Sequence, residues 1–508
     1  MTRRWWWPLL LAALGALQTL AFVETAGIAG IAVWPLPLAC IAALAASVAR
    51  VGPRRAALFG WAFGCGWLLA GTGWLYISLH RYGGLPAVPA AAAVFALAAA
   101  LSLYPALAMA AFARWRRGRV AIDAALFAAP WLLAELARGV IFTGFPWAAS
   151  GYSQIDGPLA ALAPWIGVYG VGAVLALIAA LIASTRRHRP WPGIAAAALL
   201  ALPGWLGPPT FSAPAGSLSV TLLQTNVAQD EKFAAEHLPE ALAWVAVALR
   251  DARGELVVAP ETAVPLLPDQ LAEAAPGYWE ALRGRFSGPS QAALVGVPLG
   301  DFEHGYTNSV IGLSGGAAAY PNHPDYRYDK FHLVPFGEFI PTGFRWFTEA
   351  MNIPLGDFDR GGKNPPSFAV LGQRVAPNIC YEDLFGEELA RRFVDPARAP
   401  TLFANLSNIG WFGDSIAIAQ HLNISRFRTL EFERPMIRAT NTGATAVIDH
   451  RGHVVARLPP LLRGVLDGRV EGRSGITPYA WWAARAGLWP LLVLGVSMLA
   501  LARLRAAE

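Results

Sequence analysis

The chain has 508 residues, enough for two or three domains, and its composition excludes an ordinary soluble protein. It is 55% hydrophobic and 15% charged, with a mean hydropathy of +0.41. The net charge is +6, but the basic residues are grouped in short loops, which favours membrane orientation over nucleic-acid binding. Cys40 and Cys65 lie within apolar runs, so neither a disulfide framework nor a cysteine-based metal site is indicated. A single Cys40–Cys65 bridge stays open as the alternative to two buried thiols.

Eight apolar runs are each about as long as a bilayer crossing requires. Seven fill the first 210 residues, and the eighth follows a long polar interval. The runs lie near 7–23, 26–49, 57–79, 86–113, 120–138, 158–184, 191–207 and 480–503. The sequence therefore predicts a multi-span helical membrane domain with eight transmembrane helices.

Clusters of arginine predict the direction of these spans. They are Arg3–Arg4, "RVGPRR" (50–55), "RWRRGR" (114–119), "TRRHR" (185–189) and "RLR" (503–505). All lie on one side if the spans alternate, and the positive-inside rule makes that side the cytoplasm. The interval from about 210 to 475 then lies on the outer face. The N-terminus also has the charged start and apolar core of a signal peptide, but it lacks a small-x-small cleavage site, and we expect the first span to be retained.

The outer interval alternates short β-like runs with helical segments. The β-like runs are "LSVTLLQTN" (218–226), "GELVVAPET" (254–262), "QAALVGVPL" (291–299), "NSVIGLS" (308–314), "QRVAPNICYE" (373–382), "TLFANLSN" (401–408), "MIRATNTG" (436–443) and "ATAVIDHRGHVVARL" (444–458). Helices are predicted over 233–253 and 415–434. This alternation is typical of a layered α/β domain. We expect a membrane domain over 1–212, an α/β domain over 213–474 and a C-terminal span over 475–508.

Several of the strand-like runs end abruptly in a polar residue, and ligand sites gather at such ends in α/β sheets. "ELVVAPE" ends in Glu261, "RVAPNIC" ends in Cys380, and Lys330 lies between them in "RYDKFHLVPFGEFIP" (327–341). A cysteine nucleophile needs a base for its proton and a cation for its thiolate and the later oxyanion, which Glu261 and Lys330 can supply. The residues alone leave open a packing cysteine, a capping glutamate and a solvated lysine.

Carboxylates beside Cys380 argue against a nucleophile unless a cation balances them. Glu382 and Asp383 follow the cysteine closely, and nearby anions raise the pKa of a thiol. We expect Lys330 to offset their field together with that of Glu338.

Three motifs in this order resemble the Glu–Lys–Cys triad of the nitrilase, or carbon–nitrogen hydrolase, superfamily. Glu261 matches the glutamate of the first motif, Lys330 of "YDKFHLVPFGE" the lysine of the second, and Cys380 of "NICYED" the nucleophile of the third. With seven spans upstream and one downstream, the whole chain is similar to the apolipoprotein N-acyltransferase family. The other matching segments are "LVPFGEFIP", "LSN..WFGDS", "AQH", "RPMIRATNTG.TAVID.RG" and "GFPW...GYSQ".

The resemblance implies an αββα sandwich for the outer domain and a ping-pong acyl transfer without a cofactor or metal ion. Cys380 would take the sn-1 acyl chain of a phospholipid, typically phosphatidylethanolamine, as a thioester. The free α-amine of the diacylglyceryl-cysteine of an apolipoprotein would then accept it. Glu261 would move the protons, and Lys330 with the backbone N–H of Tyr381 would stabilise the oxyanion. The resemblance further implies a monomer in the bacterial inner membrane, with its catalytic domain on the periplasmic face.

Further site candidates flank the triad. Glu338 and Glu382 match acidic positions of the family and would position Lys330 and order the loops. The candidates for substrate binding are Trp147, Phe233, Asn308, Phe339 and Trp411. Two departures from the family pattern, Ile409 in place of an acidic residue and Phe233 in place of a tryptophan, bear on loop geometry and substrate preference.

Aromatic residues near Lys330 and after "LSNIG" are open to two interpretations. They would line an opening toward lipid that keeps water from a thioester, or they would form a surface that docks on the bilayer. They are Phe331, Phe336, Phe339, Phe344, Trp346, Phe347, Trp411 and Phe412.

Other polar residues carry weaker signals. Glu135 and Arg138, near the end of the fifth span, are interpreted as a helix-end pair that reaches the interface, with a platform beneath the active site as the alternative. His421 is expected to pack or hydrogen-bond within its helix.

The rival functions are a membrane-tethered amidase or nitrilase, in which water completes the reaction, and a transporter or receptor whose outer domain only binds ligand.

Overall fold

The computed structural model describes residues 6–23, 33–207, 210–232, 234–315, 326–341 and 358–504. These residues form two compact units. A helical unit lies within residues 1–76, 86–210 and 486–508, and an α/β unit lies within residues 77–85 and 211–485. The short segment Ile77–Leu85 therefore belongs with the α/β unit, although it is flanked by apolar helices in the sequence.

Apolar helices build the helical unit. They are α1 (Trp7–Leu17), α2 (Pro35–Val48), α3 (Pro53–Thr72), α4 (Leu75–Ile77), α5 (Ala87–Leu101), α6 (Leu103–Trp115), α7 (Val120–Val140), α8 (Ala163–Ser184), α9 (Trp191–Leu206) and, near the C-terminus, α16 (Trp489–Leu504). Proline occupies the first turn of α2 and α3, where its missing N–H has no intrahelical partner to lose. Cys40 in α2 and Cys65 in α3 are buried free thiols, so the alternative of a disulfide is not realised.

Three helical segments are long and apolar enough to cross a membrane by length and composition: Ala87–Trp115, Val120–Thr143 and Pro158–Ser184. Two bent pairs of consecutive helices, Pro53–Thr72 with Leu75–Tyr82 and Pro478–Ala486 with Trp489–Leu501, bring the number to five if each pair is one span. The shorter apolar helices are Trp7–Phe22, Pro35–Val48 and Trp191–Trp205. Within the described ranges, three to five spans thus meet these criteria, against the eight predicted.

Glu135 and Arg138 of α7 are buried inside the helical unit, each about 3% exposed. Ser150 donates its backbone N–H and its hydroxyl to the two oxygens of Glu135 at 2.7 and 2.8 Å. Arg138 donates to the carbonyl oxygens of Phe145 and Trp147 at 2.9 and 2.6 Å. Buried charges are tolerated when they are paired and hydrogen-bonded in this way. The interpretation as a helix-end pair at the interface is therefore wrong, because the pair holds the loop that follows α7.

Two six-stranded sheets form the α/β unit. The strands are β1 (Ser212–Gln224), β2 (Leu256–Ala259), β3 (Ala292–Asp301), β4 (Gly305–Ser314), β5 (Tyr326–Asp329), β6 (Phe368–Val370), β7 (Gln373–Ile379), β8 (Leu402–Ser407), β9 (Met436–Thr440), β10 (Ala446–Ile448), β11 (Val454–Arg457) and β12 (Gly464–Gly475). The sheet orders are β12-β1-β2-β3-β4-β5 and β11-β10-β9-β8-β7-β6. Strands β1 to β3 are mutually parallel, as are β7 to β9, so the carboxyl ends of each set gather at one edge of its sheet.

The two sheets pack face to face, and helices cover their outer faces. One buried core draws on both sheets and includes Val220, Val258, Val375, Leu406 and Ile437. The first sheet is covered by α10 (Leu238–Asp251), α11 (Pro268–Ala274) and α12 (Tyr278–Arg285). The second is covered by α13 (Gly386–Ala390), α14 (Ala417–Phe432) and α15 (Pro478–Ala486). This αββα arrangement confirms the predicted layered α/β domain.

Three strands were not predicted. The eight β-like runs correspond to β1–β4 and β7–β11, with the last run divided into two strands. Strands β5 and β6 have 4 and 3 residues, which are too few to show the alternation of apolar and polar residues that predicts a strand. The sequence of β12, "GVLDGRVEGRSG", carries glycines and charges that are depleted in strands, and it is ordered by pairing along β1. The two predicted helices are α10 and α14, each shorter than expected.

Gly296 in β3 allows a close approach of the backbone around Glu261. A Cβ at this position would lie 2.2 Å from the carbonyl oxygen of Pro260 and 2.8 Å from Cα of Glu261. We expect Gly296→Ala to lower the free energy of unfolding by about 1–3 kcal/mol, because backbone atoms cannot move aside as a side chain could. Thermal unfolding of the detergent-solubilised protein measures the change.

Gly284→Ala is the control for this substitution. Among the described residues, no atom outside its own helix backbone and chain neighbours lies within 4 Å of a Cβ at Gly284, which is in α12. Alanine there should be neutral or stabilising by about 0.5–1 kcal/mol. If Gly296→Ala unfolds at the wild-type temperature, the close approach of β3 to Glu261 is wrong.

Candidate active site

Glu261 and Lys330, which follow β2 and β5, lie together in a buried cluster with Glu338. Nζ of Lys330 is 3.3 Å from Oε1 of Glu261 and 2.9 Å from Oε1 of Glu338. Lys330 is 1% exposed, so its charge depends on these two carboxylates. Burial alone would lower the pKa of Lys330, but Glu261 and Glu338 raise it above its ordinary value. The two carboxylates therefore favour the charged form of Lys330 despite its burial.

Asn308 in β4 joins the same two carboxylates. Its Nδ2 donates to Oε1 of Glu261 and to Oε1 of Glu338, both at 2.7 Å, and its backbone oxygen accepts the N–H of Lys330 at 2.8 Å. An amide has two N–H groups, so one side chain can hold two carboxylates at a fixed separation. The structure thus places Asn308 between the acidic groups, and its role in substrate binding stays a prediction.

Cys380 follows β7 in a left-handed backbone conformation with φ of 50°. This conformation is rare for a residue with a Cβ and persists only where the surroundings hold it. The thiol interacts with Glu261, Lys330 and the hydroxyl of Ser407. Although Cys380 keeps some accessible surface, burial raises the pKa of its thiol to about 12, with Glu261 adding to the rise and Lys330 opposing it. Near neutral pH the thiol is protonated, and a base has to remove its proton during a reaction.

The structure therefore brings together the three residues predicted from separate strand ends. A thiol, a carboxylate and an ammonium share one cluster, and Glu261 is already fixed by hydrogen bonds. Its second oxygen, Oε2, accepts the N–H of Asn408 at 2.7 Å. This arrangement can form a covalent bond at Cys380, transfer its proton and stabilise negative charge on a substrate oxygen.

The carboxylate of Glu382 is surrounded by hydrogen-bond donors. Its carboxylate accepts from the hydroxyl of Tyr328 at 2.5 Å and from the backbone N–H groups of Ile379, Phe331 and His332 at 2.7, 2.8 and 3.2 Å. Two of these donors follow Lys330 directly, so Glu382 ties the loop of the lysine to the turn of Cys380. This contact fits the predicted role in ordering the loops.

Asp383 has a different partner from the one expected. Its Oδ2 lies 3.2 Å from a guanidinium nitrogen of Arg438 in β9 and accepts the hydroxyl of Ser425. All three side chains are fully buried or nearly so. The expectation that Lys330 offsets Asp383 is therefore wrong, because Arg438 is its main counterion.

The aromatic candidates occupy different parts of the chain. Trp147 belongs to the helical unit, is 3% exposed and packs on Trp74 with ring centroids 4.8 Å apart. Ile409, the departure from the family pattern, is buried, and a Cβ on Gly443 would lie 2.7 Å from its side chain. Phe233, Phe344, Trp346 and Phe347 lie outside the described residues.

Phe339 and Trp411 are both half-buried in the α/β unit. The guanidinium carbon of Arg360 lies 5.0 Å from the ring centroid of Phe339. The ring of Trp411 meets Tyr82 edge to face at 5.8 Å, and its carbonyl oxygen accepts the hydroxyl of Ser78 at 2.7 Å. Segment Ile77–Leu85 therefore packs on the loop of Trp411.

Polar side chains that were not predicted also reach the cluster. Lys232 donates from Nζ to the carbonyl oxygen of Glu261 at 3.1 Å, and burial lowers its pKa to about 8. The ring of His421 is buried, as its expected packing requires, and its Nε2 lies 3.2 Å from the carbonyl oxygen of Cys380, outside its own helix. Of the hydrogen-bond partners that were not predicted, Asn408 is the one with a sequence signal. It directly follows β8, and ligand sites gather at strand ends.

The sequence comparisons agree with the fold. Residues 219–475 match the carbon-nitrogen hydrolase family, and residues 14–181 match the apolipoprotein N-acyltransferase N-terminal domain. The α/β unit is thus a carbon–nitrogen hydrolase domain. A solved carbon-nitrogen hydrolase from Helicobacter pylori G27 is 16% identical, covers 55% of this chain and 94% of that chain, and has a TM-score of 0.37.

Two full-length relatives define the family more narrowly. An apolipoprotein N-acyltransferase of Verminephrobacter eiseniae is 55% identical over 90% of this chain and 89% of the relative. One of Ralstonia nicotianae is 47% identical over 98% of this chain and 94% of the relative. The chain belongs to the apolipoprotein N-acyltransferase family, a membrane-associated family.

The direction in which Glu261 shifts the pKa of the Cys380 thiol can be measured. Glu261→Gln removes a negative charge that raises the pKa of the thiol and keeps a side chain of the same shape. We expect the rate of Cys380 alkylation by iodoacetamide at pH 8 to rise, about tenfold for each unit by which the thiol pKa falls. Mass spectrometry of the Cys380 peptide separates this reaction from that of Cys40 and Cys65.

Glu338→Gln is the matched control. The Glu338 carboxylate also raises the pKa of Cys380, but by less than Glu261 does. Its removal should increase the alkylation rate by a smaller factor. Slower alkylation in either variant would mean that the sign of the electrostatic effect is wrong.

Proposed function

We propose that this chain transfers an acyl chain from the sn-1 position of a phospholipid to the free α-amine of the N-terminal diacylglyceryl-cysteine of an apolipoprotein. Phosphatidylethanolamine is the proposed donor. The observation that carries the proposal is the buried cluster of Cys380, Glu261 and Lys330, in a chain that also has an apolar helical unit. Ester-to-amide acyl transfer changes no oxidation state, so these groups suffice without a cofactor.

The first half-reaction acylates the enzyme. Glu261 takes the proton of Cys380 as the sulfur attacks the ester carbonyl carbon, which makes the carbonyl oxygen an oxyanion. Lys330 and the backbone N–H of Tyr381 stabilise that oxygen. The carbon–oxygen bond of the ester then breaks, and Glu261 returns the proton to the leaving alcohol. A thioester on Cys380 and a lysophospholipid result.

The second half-reaction moves the acyl chain to the lipoprotein. The α-amine attacks the thioester, Glu261 accepts a proton from the nitrogen, and the carbon–sulfur bond breaks. Glu261 then passes that proton to the departing sulfur, which regenerates the thiol. Water would hydrolyse the thioester, so the site requires an apolar lining. Phe339 and Trp411 are the proposed lining residues, with Trp147 and Phe233 as further candidates.

The membrane arrangement belongs to the same proposal. The three long apolar segments, the two bent pairs and the three shorter apolar helices overlap the eight predicted runs in sequence, which supports eight spans. In the last of them α15 packs on the second sheet, so α16 would carry the span. The arginine clusters then lie on the cytoplasmic side, and the catalytic domain lies on the periplasmic face of the inner membrane. We propose domain limits of 1–212, 213–474 and 475–508. A monomer suffices, because one chain supplies every group of the cluster.

Trapping of the acyl-enzyme tests the reaction. Purified protein is incubated with phosphatidylethanolamine labelled in its sn-1 chain, and label is sought as a hydroxylamine-sensitive thioester at Cys380. A diacylated lipopeptide with a free amine is then added, and the label should move to the amine. Cys380→Ser should abolish both events because an alkoxide is far harder to generate at that position than a thiolate. Cys40→Ser, in the helical unit, is the control and should retain both.

Other outcomes separate the rival functions. Transfer by Cys380→Ser, or a wild-type enzyme that never acquires label, would contradict the proposal. A hydrolase would release labelled fatty acid at the same rate with and without the lipopeptide. Equal labelling from phosphatidylglycerol would remove the preference for the ethanolamine head group and leave the acyl transfer intact.

A further inference from the structure

His421 reaches the main chain of the nucleophile from a distant helix. It lies in α14 and is 1% exposed, and its Nε2 is 3.2 Å from the carbonyl oxygen of Cys380. The amide Nδ2 of Asn405 lies farther from the same oxygen, at 3.4 Å. The carbonyl of a residue held at positive φ thus has two donor groups directed at it.

Arg438 determines which ring nitrogen of His421 carries the proton. Its guanidinium is 3.2 Å from Nδ1 of His421, and an arginine side chain only donates hydrogen bonds. Nδ1 must therefore accept, which leaves the proton on Nε2, where it is donated to the carbonyl of Cys380. Burial and the charge of Arg438 lower the pKa of His421 well below its ordinary value, so the ring stays neutral.

Other contacts fix Arg438 itself. It is 1% exposed, pairs with Asp383 at 3.2 Å, and lies 3.4 Å from the carbonyl oxygen of His421. Ser425 of α14 contacts both Arg438 and Asp383. A chain of contacts therefore leads from Asp383 through Arg438 and His421 back to Cys380.

The carbonyl of Cys380 and the N–H of Tyr381 belong to one planar peptide unit. Fixing the direction of the carbonyl oxygen therefore fixes the direction of the N–H on the opposite side of the peptide bond. We infer that His421 is a positioning residue that orients the Tyr381 N–H as an oxyanion donor, with Arg438 holding the ring in the required tautomer. The inference rests on the proposed function, because the oxyanion forms only if Cys380 attacks an acyl carbonyl.

Orienting the Tyr381 N–H is a different role from changing the ionisation of the Cys380 thiol. The charged groups that act on the Cys380 thiol include Glu261, Lys330 and Glu338. A neutral imidazole adds no charge to this set. The Ser407 hydroxyl, which bonds the thiol, lies 3.5 Å from Nδ1 of His421, so loss of the ring changes the thiolate fraction far less than loss of a charge would. Alkylation of sulfur by iodoacetamide forms no oxyanion, whereas acyl transfer does, so the two reactions separate a positioning role from a role in activating the thiol.

His421→Leu and His421→Gln form a matched pair of similar volume. Glutamine can donate to the Cys380 carbonyl and accept from Arg438, whereas leucine can do neither. We expect His421→Leu to lower kcat for acyl transfer about 10- to 100-fold with an unchanged KM, since complete loss of an oxyanion donor costs about 10²–10³. His421→Gln should stay within about tenfold of wild type on the same scale. Both should alkylate Cys380 at the wild-type rate.

Three results would overturn the inference. They are wild-type kcat in His421→Leu, an equal loss of kcat in both variants, and alkylation that falls in parallel with kcat. If His421→Leu does not fold, as judged by thermal unfolding, His421→Asn replaces it, because its shorter amide cannot reach the Cys380 carbonyl. A wild-type enzyme that is alkylated at Cys380 but never forms the thioester would instead refute the proposed function, which keeps the two failures distinct.

Discussion

A lysine ammonium buried between two carboxylates is the interaction on which the Glu261–Lys330–Cys380 cluster depends. A buried charge is stable only when it is paired and hydrogen-bonded, and Lys330 meets this condition through Glu261 and Glu338, with Asn308 bonded to both. These groups come from β4 and from the segments that follow β2 and β5, so the charges match only when the first sheet is correctly paired. Burial and the Glu261 carboxylate both disfavour a thiolate on Cys380, and the charge of Lys330 opposes them only in part. The cluster therefore favours a protonated thiol until a substrate carbonyl accepts the sulfur's electrons.

The triad and Glu338 could be predicted from the sequence because each ends a strand or lies in a long motif, whereas hydrogen-bond partners from distant elements could not. Asn408 bonds Glu261 across 147 residues, and His421 reaches Cys380 across 41. The periodicity of a helix predicts which face is apolar. Helix α14 is buried on nearly all sides, so its sequence gives no direction for the His421 ring. Only the packing of α14 against the second sheet brings that ring to the nucleophile.

The same distinction, between features set by local sequence patterns and features set by distant contacts, applies to the fold. Apolar length and β-like runs predicted the helical unit and most of the two sheets, because both depend on local patterns. Strand β12 depends instead on its partner β1, to which it is paired from one end to the other, and its own residues resemble a loop. The location of Glu135 and Arg138 was wrongly predicted for a related reason. A charge pair near the end of an apolar run has the same sequence whether it faces water or the carbonyls of the following loop, and the loop supplies those partners here.

In the sequence, the acidic residues that follow Cys380 oppose ionisation of its thiol, whereas in the structure each of them holds the backbone around that thiol. Glu382 binds the backbone N–H groups just after Lys330 and so joins the cysteine turn to the loop of its cation. Asp383 binds Arg438, which in turn fixes His421 against the Cys380 carbonyl. Glu382 is bonded through both oxygens and Asp383 through Oδ2, so their main partners are donors other than Lys330. The direct partners of the Lys330 ammonium are Glu261 and Glu338, and its charge also acts on Glu382, as the sequence predicts.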